Sequence, residues 1–306
     1  MTSAGNPPPV VAVVGPTAAG KSDLSLDIAA ALGGEVVNTD SMQVYRGMDI
    51  GTAKLPPGQR RGIAHHLLDV LEVTEPATVA EFQGWARSAV DGCRSRAVVP
   101  VLVGGSALYT RAVLDRFEFP GTDPDVRRRL EDELEANGAE AMHRRLGTVD
   151  AVAAAKISPA NVRRVVRALE VIALTGEPFG ASLPAHRYFY DDVHQIGVDI
   201  PRSALDARIA LRVQRMWEAG LVEEVSRLAA AGLREGRTAS RGLGYQQVLA
   251  FLDGCISEDE AKEQTVTGTR RFARRQDSWY RRDPRIFWVG WDDPDRADKA
   301  LRAMRG

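Results

Sequence analysis

Short apolar runs alternate with longer amphipathic segments through the first third of the chain. Val10–Val14 is an uninterrupted apolar run that leads into a glycine-rich loop, and Lys21–Leu32 then has the spacing of a helix that ends at Gly33. Apolar runs of strand length recur at 35–40 and 98–103. Because buried strands alternate with helices, the pattern predicts an α/β fold built on a parallel sheet.

The middle of the chain lacks strand-like runs and carries helical signals instead. Asp123 and Pro124 are typical of an N-cap and a first helical position, and the helix that they open is expected to end at Gly138. Apolar residues at helical spacing from Val162 onward indicate a second helix, which closes at Gly176. We therefore expect a helical domain inserted into the α/β core.

Strand-like runs return after the insertion, at 195–200 and 285–289, and helical patterns fill 206–232 and Glu258–Tyr280. These segments bring the chain back to the sheet. The predicted organisation is a flexible tail at 1–9, a core formed by 10–115 and 194–306, and a helical insertion at 116–193.

Composition excludes several classes of protein. The net charge is −1 and no apolar run approaches the ~20 residues of a membrane span, which argues against a wholesale polyanion binder and against a membrane protein. The N-terminus lacks a secretion signal, and the 2 cysteines, Cys93 and Cys255, lie far apart in sequence. We expect a cytoplasmic protein without a disulfide framework, and the adjacent His65 and His66 alone are weak as metal ligands.

The glycine-rich loop at 15–22 matches the phosphate-binding pattern G-x4-G-K-[ST] and lies between a strand and a helix, as its mechanism requires. Successive backbone N–H groups and the helix N-terminus form an anion-binding nest. Lys21 adds positive charge, and the Ser22 hydroxyl is placed for Mg²⁺. The loop predicts a P-loop NTPase-like core that binds a diphosphate or triphosphate, without identifying the compound.

Two further polar positions follow predicted strands. Asp40 ends the run at 35–40, and Ser106 follows the run at 98–103, which has no acid at its end. Ligands of open α/β sheets bind outside the carboxyl ends of the strands, so both side chains should face the phosphate loop. The missing acid disfavours a kinase that uses ATP, since such enzymes usually support Mg²⁺ with an acid at that place.

Several segments together resemble the bacterial tRNA dimethylallyltransferases, also called tRNA isopentenyltransferases. The longest is 40–54, DSMQVYRGMDIGTAK, and it is long enough to be highly specific. The similarity extends from about residue 10 to 290. Besides the phosphate loop, the segments that carry it are 40–54, 65–69, 104–109, 167–170, 242–245 and 274–276.

The resemblance implies transfer of the dimethylallyl group from dimethylallyl diphosphate to N6 of the adenine just 3′ of the anticodon (position 37), in tRNAs that read codons starting with U. Asp40 would accept a hydrogen bond from the weakly nucleophilic amine, and Ser106, where family members commonly carry Thr, would help to fix the adenine. Mg²⁺ at Ser22 would stabilise the leaving group. The expected diphosphate-binding residues are Gly15, Thr17, Ala18, Ala19, Gly20, Lys21, Ser22 and Arg241.

The resemblance also implies contact with the tRNA anticodon stem-loop, by a protein that we expect to be a monomer. Seven arginines between 270 and 285, interleaved with aromatic residues, fit RNA binding, although a solvated charged face over a buried aromatic stripe fits equally well. The expected tRNA-binding residues are Asp40, Ser41, Met42, Gln43, Ser106, Arg127, Arg163, Arg164, Arg167, Arg274, Arg275 and Gln276.

Three alternatives stay open at this point. A related transferase could prenylate a free adenine nucleotide, although the large basic insertion argues against it. A P-loop kinase acting on a small molecule is disfavoured by the missing acid. An RNA-binding switch without catalysis would show nucleotide-dependent affinity for tRNA and no covalent product.

Overall fold

The computed structural model describes residues 6–179 and 186–305, and a parallel sheet organises most of them. Its strands lie in the order β3-β2-β4-β1-β5-β6, and every pair of neighbours is parallel. This confirms the predicted α/β fold, and the two-residue β3 is the strand that the sequence pattern missed. The strands are β1 Val10–Val14, β2 Glu35–Asn38, β3 His65–His66, β4 Pro100–Val103, β5 Val193–Asp199 and β6 Ile286–Gly290.

Helices connect the strands, and five of them were not predicted individually from the sequence: α2, α3, α5, α9 and α11. The expected helical segment at 206–232 is divided into α7 and α8 at Gly220, which has a φ of 94°. Within the described residues the α-helices are α1 Lys21–Leu32, α2 Val79–Ser95, α3 Ala107–Leu114, α4 Pro124–Val149, α5 Ala151–Lys156, α6 Val162–Thr175, α7 Arg202–Glu218, α8 Leu221–Ala230, α9 Tyr245–Leu252, α10 Glu258–Tyr280 and α11 Arg296–Ala303. No helix in this part of the chain has both the length and the apolarity of a membrane span.

Strand β1 lies at the centre of the sheet and is completely buried. Val10, Ala12 and Val14 belong to one apolar cluster, whereas Val11 and Val13 belong to a second cluster on the other face. Successive side chains of a strand point to opposite faces, so both faces of the sheet are covered. The continuous apolar run, without alternation, follows from this double burial.

Contacts divide the chain into two units: Met1–Asp115 with Tyr188–Gly306, and Arg116–Arg187. The first contains the sheet. The sequence extends the insertion to 193, but Tyr190 packs in the core of the sheet unit. Of the predicted segments, 1–5 in the tail and 180–185 in the insertion lie outside the described residues.

The second unit contains helices α4, α5 and α6 around an apolar core of its own. The Asp123 carboxylate accepts hydrogen bonds from the N–H groups of Asp125 and Val126 at the start of α4, as its N-cap position predicts. Gly138, where the sequence predicts an end, has a φ of 77° and interrupts α4 with a kink. The core consists of Leu130, Met142, Leu146, Ala153, Ile157, Val165, Val166, Ala168 and Leu169.

Candidate active site

The phosphate loop follows β1 and ends where α1 begins. Gly20 has a φ of 97° at the N-cap of α1, a left-handed conformation that favours glycine. Gly15 has a φ of 138°, and a Cβ there would lie 3.3 Å from the carbonyl oxygen of Val198 on β5. The two glycines let the loop turn tightly against the sheet, so that the N-terminus of α1 faces the ligand side.

Lys21, the first residue of α1, turns back over the loop. Its Nζ donates a hydrogen bond of 2.8 Å to the carbonyl oxygen of Pro16. Burial and the positive charge of Arg212 lower the pKa of Lys21 to about 8, against a smaller upward effect of Asp40. Lys21 and Arg212 are therefore two cations close to one another, and the charge of Asp40 does not balance both. This excess of positive charge favours the binding of an anion.

Asp40 follows β2 and is held by its own backbone. Asn38, which is 2% exposed, accepts a hydrogen bond from the Asp40 N–H and donates one to the Asp40 carbonyl, at 2.9 and 3.0 Å. The Asp40 Oδ1 atom accepts one from the Met42 N–H at 2.9 Å. Within the described chain the second carboxylate oxygen of Asp40 accepts no hydrogen bond, and the residue lines a cavity.

Ser106 lies close to Asp40 through a contact between two loops. Its Oγ is 3.3 Å from the Oγ of Ser41, and it forms the N-cap of α3. A Cβ at Gly104 would lie 2.3 Å from the Oγ1 of Thr39, so only glycine permits this approach of the loops. The Gly-Gly-Ser turn therefore places the Ser106 hydroxyl beside the segment that carries Asp40.

Gln276 of α10 connects the same turn with the phosphate loop. Its Oε1 accepts a 2.8 Å hydrogen bond from the Thr17 N–H, and its Nε2 donates one of 2.8 Å to the Gly105 carbonyl. Gln276 is only 6% exposed. The structure therefore places this expected tRNA-binding residue between two loops of the site, beneath its neighbour Arg275, which is exposed.

A first cavity of about 390 Å³, cavity one, opens beside Asp40. It brings together seven of the predicted site residues: Thr17, Asp40, Ser41, Met42, Ser106, Arg241 and Arg275. The Arg275 guanidinium lies 5.8 Å from the centre of the Phe272 ring. The apolar part of its lining includes Ile209, Val213, Met216, Leu243 and Tyr245. A flat base with polar edges matches this combination of a carboxylate and apolar walls.

A second cavity of about 680 Å³, cavity two, lies on the other side of the phosphate loop. It is lined by Lys21 and Ser22 and by arginines of α7 that the sequence analysis missed, namely Arg208, Arg212 and Arg215. Their spacing of three to four residues places them on one face of a helix, which is the signal that could have revealed them. Arg208 also donates a 2.8 Å hydrogen bond to the Ala18 carbonyl of the phosphate loop.

Glu224 of α8 holds the segment that lies between the cavities. Its carboxylate is buried and accepts hydrogen bonds from the N–H groups of Asp49, Ile50 and Gly51, at 3.1, 2.8 and 3.3 Å. It also accepts one of 2.6 Å from the hydroxyl of Tyr245, whose pKa is raised by burial and by the Glu224 charge. The next residue, Thr52, accepts hydrogen bonds at its carbonyl oxygen from Gln43 and Arg212. By holding the segment at 49–51, Glu224 therefore also positions the carbonyl that these two side chains contact.

Two further RNA-binding candidates, Gln43 and Arg274, differ in exposure. Gln43 is half-buried and donates its 3.1 Å hydrogen bond to Thr52, whereas Arg274 is exposed on α10. Arg241, in a short 3₁₀ turn, is exposed at the rim of cavity one. Arg241 and Arg274 therefore keep their charge available to a ligand from solvent.

The four arginines of the second unit that the sequence analysis assigns to tRNA binding fall into two pairs. Arg127 and Arg167 both donate to the carboxylate of Glu170, which is fully buried, at 2.5 and 2.7 Å. Arg167 also donates to the carbonyl oxygens of Pro120 and Gly121. Arg163 and Arg164 are exposed on α6. The first pair therefore has a structural task, and the second pair presents the accessible guanidinium groups.

The arginine-rich segment at 270–285 combines both interpretations left open above. Arg285 forms ion pairs with the buried Asp115 and Asp283, and Arg281 pairs with Asp199. These arginines hold the sheet unit together. Arg271, Arg274, Arg275 and Arg282 are exposed and can contact a phosphate backbone.

Glu35, His66 and Cys93 form a cluster away from the phosphate loop that the sequence did not reveal. Their ligand atoms lie within 4.8 Å of one another. Arg96 donates to both oxygens of Glu35, at 3.0 and 2.7 Å, and these bonds are the main cause that lowers the pKa of Glu35 to about 2. Burial raises the pKa of Cys93 to about 11, so its thiol stays protonated. The guanidinium already supplies the positive charge that a metal ion would bring.

Comparison with known proteins identifies the family. The sequence model described as IPP transferase matches residues 43–283. The tRNA dimethylallyltransferase of Nocardioides sp. is 62% identical over 304 residues, covering 99% of this chain and 98% of the relative. That of Streptomyces coelicolor is 61% identical over 304 residues, covering 99% of this chain and 97% of the relative.

Solved structures agree with the sequence relatives. A tRNA isopentenylpyrophosphate transferase from Bacillus halodurans has a TM-score of 0.70 at 38% identity, with 97% of this chain and 94% of that chain covered. A eukaryotic dimethylallyltransferase described as acting on tRNA has a TM-score of 0.83 at 26% identity, with 96% and 77% covered. The phosphate loop, Asp40 and the two cavities therefore lie in a chain that belongs to the IPP transferase family.

Proposed function

We propose that this protein transfers the dimethylallyl group of dimethylallyl diphosphate to N6 of the adenine just 3′ of the anticodon in tRNAs reading codons that start with U. The observation that carries the proposal is the arrangement of two cavities around one phosphate loop, with Asp40 in one and Lys21 in the other. A cationic pocket suits the diphosphate, and a pocket with a carboxylate suits the amine. The names of the relatives support the same reaction on tRNA.

The donor's diphosphate binds at the phosphate loop beside cavity two. Backbone N–H groups of the loop and the charges of Lys21 and Arg212 surround it. The bond between the allylic C1 and the diphosphate oxygen breaks, and the leaving group takes the electron pair. Negative charge grows on that oxygen during the step, so preorganised cations stabilise the transition state more than the bound substrate.

Mg²⁺ is the metal ion that we propose for this step, and the residues present suit it. The Ser22 hydroxyl lines cavity two together with the Asp49 carboxylate, and both are oxygen donors of the kind that Mg²⁺ prefers. Ser22 would hold the ion, whose positive charge would neutralise part of the charge of the leaving group. Few protein ligands are needed, because Mg²⁺ keeps several waters in such sites.

The adenine enters cavity one with N6 directed at Asp40. The carboxylate oxygen that accepts no hydrogen bond within the described chain accepts one from the amine and takes its proton as the C1–N6 bond forms. The Ser106 hydroxyl contributes a hydrogen bond that orients the base. The exposed Arg274 and Arg275 bind the phosphates of the flanking nucleotides, and Arg241, exposed at the rim of cavity one, is the further cation that we propose for the donor's diphosphate.

A transfer assay tests the proposal directly. Purified protein, Mg²⁺ and labelled dimethylallyl diphosphate are mixed with unmodified tRNA that reads a codon starting with U. We expect label on the adenine beside the anticodon, and none on a matched tRNA with guanine at that position. Transfer of the label to AMP instead of tRNA would indicate a transferase for free nucleotides, and ATP hydrolysis without labelled RNA would contradict the proposal.

The cytoplasmic location and the monomeric state stay predictions from the sequence.

A further inference from the structure

Helix α7 contributes to both cavities through two faces. Ile209 and Val213 line cavity one only, and Arg208 and Arg215 line cavity two only. Residues three or four positions apart share a helix face, so the two sets follow adjacent faces of the same helix. Two described residues line both cavities, Arg212 and Met216, which are four positions apart. They form the partition between the cavities.

The chemistry of the partition changes along the helix. Arg212 lies beside Lys21, on the diphosphate side, and Met216 follows one turn later. Met216 is 9% exposed and belongs to the apolar cluster that includes Leu221 and Tyr245. A charged position followed by an apolar one matches a prenyl diphosphate, whose polar end and hydrocarbon chain are joined through C1.

The position of C1 is fixed by the reaction. C1 must lie between the diphosphate at the phosphate loop and the amine at Asp40, and hence beside the partition. The hydrocarbon chain extends from C1 away from both polar partners. Met216 is the apolar residue that lines both cavities at this place. The end of the prenyl hydrocarbon would therefore pack against its side chain.

We infer that Met216 limits the donor to a five-carbon prenyl group, by filling the space that a further isoprene unit would need. This inference rests on the proposed function, because it concerns the donor of that reaction. Replacing Met216 with Ala removes Cγ, Sδ and Cε from a residue that lines both cavities, and thereby enlarges the space between them. Met216→Leu keeps most of the volume and should keep the five-carbon limit.

The experiment compares dimethylallyl diphosphate with geranyl diphosphate, which is longer by one isoprene unit, using tRNA as acceptor. The kcat/KM of each donor is measured, and mass spectrometry of the nucleosides identifies the attached group. For Met216→Ala we expect the geranyl-to-dimethylallyl ratio of kcat/KM to rise about tenfold or more over the wild type, since a hydrophobic pocket discriminates by roughly that factor per missing group. Met216→Val serves as a second enlarged variant should the alanine protein fail to fold.

Two control variants locate the effect. Met216→Leu should keep the wild-type ratio, and Val213→Ala, which enlarges only cavity one, should do the same. Absence of dimethylallyl transfer by the wild type would refute the proposed function itself. If the wild type is active but the folded enlarged variants keep its ratio, or if Val213→Ala raises the ratio equally, Met216 does not set the limit.

Discussion

The backbone N–H of Thr17 donates a 2.8 Å hydrogen bond to the side chain of Gln276, which lies 259 positions later in the chain. The Nε2 atom of the Gln276 side chain in turn donates a 2.8 Å hydrogen bond to the Gly105 carbonyl. One side chain of α10 therefore satisfies a donor of the phosphate loop and an acceptor of the turn that carries Ser106. The relative position of the two loops depends on it.

Replacing Gln276 with Ala should destabilise the protein and weaken donor binding. The substitution leaves a buried donor and a buried acceptor without partners, which costs about 1–3 kcal/mol for each group that water does not reach. We expect a lower urea midpoint and a higher KM for dimethylallyl diphosphate. Ser278→Ala, an exposed polar position on the same helix, is the control and should leave the midpoint unchanged.

Asp40→Asn should separate donor binding from chemistry. The amide is close in size to the carboxylate but cannot take the proton of the adenine amine, so kcat should fall by about 10²–10⁴. Binding of inorganic diphosphate, which the phosphate loop performs, should stay near the wild-type value in calorimetry. Turnover equal to that of the wild type would remove Asp40 from the reaction.

Binding of diphosphate should depend on pH through Lys21. Burial and Arg212 lower its pKa to about 8, so the free site loses a positive charge as the pH rises through that value. Affinity for the anion should therefore fall above about pH 8, where the wild type must take up a proton to bind. Lys21→Arg keeps its charge at every accessible pH, and the ratio of its affinity to that of the wild type should rise across this range.

Comparing the two proteins cancels the titration of diphosphate itself, which affects both equally. Calorimetry at pH 7 and pH 9, in buffers of different ionisation enthalpy, measures the proton uptake. An identical pH dependence in the wild type and in Lys21→Arg would show that Lys21 does not titrate in this range.

Substitution of Arg127 should lower the stability of the protein, whereas substitution of Arg163 should lower its affinity for tRNA. Arg127→Leu removes one cation from the buried Glu170, and we expect a loss of about 2–3 kcal/mol in the free energy of unfolding. Arg163→Ala removes an exposed charge and should leave stability unchanged, while tRNA affinity falls and the log–log salt slope decreases by about one. A reversed result, with Arg127→Leu changing only the salt slope, would contradict this division.

Local sequence signals found the parts of the site that a single segment builds. The run of Val10–Val14, the glycine loop and α1 form one continuous unit, so their pattern is complete in the sequence. Asp40 was found for the same reason, because it directly follows a strand. The helices α6 and α10 were predicted with nearly their observed bounds, since α6 has an apolar stripe that ends at Gly176 and α10 begins with a capping box at Ser257 and Glu260.

Long-range contacts account for what the sequence missed. Arg212 and Glu224 belong to ordinary amphipathic helices, and only the fold brings them to the phosphate loop and to the segment at 49–51. The short β3 has too few residues for a periodic pattern. Arg127 and Arg167 looked accessible because a sequence does not show that Glu170, on the same helix as Arg167, is buried.

The central position of β1 has a consequence for the order in which the structure opens. Both edges of β1 are hydrogen-bonded to neighbours, and all of Val10–Val14 is shielded from water, whereas β3 is an edge strand of two residues. Amides with such protection exchange only through global unfolding, while edge strands exchange through local fluctuations. The segment that leads into the phosphate loop is therefore expected to be among the last to lose its structure, so that partially opened forms of the protein keep the strand on which the anion nest is built.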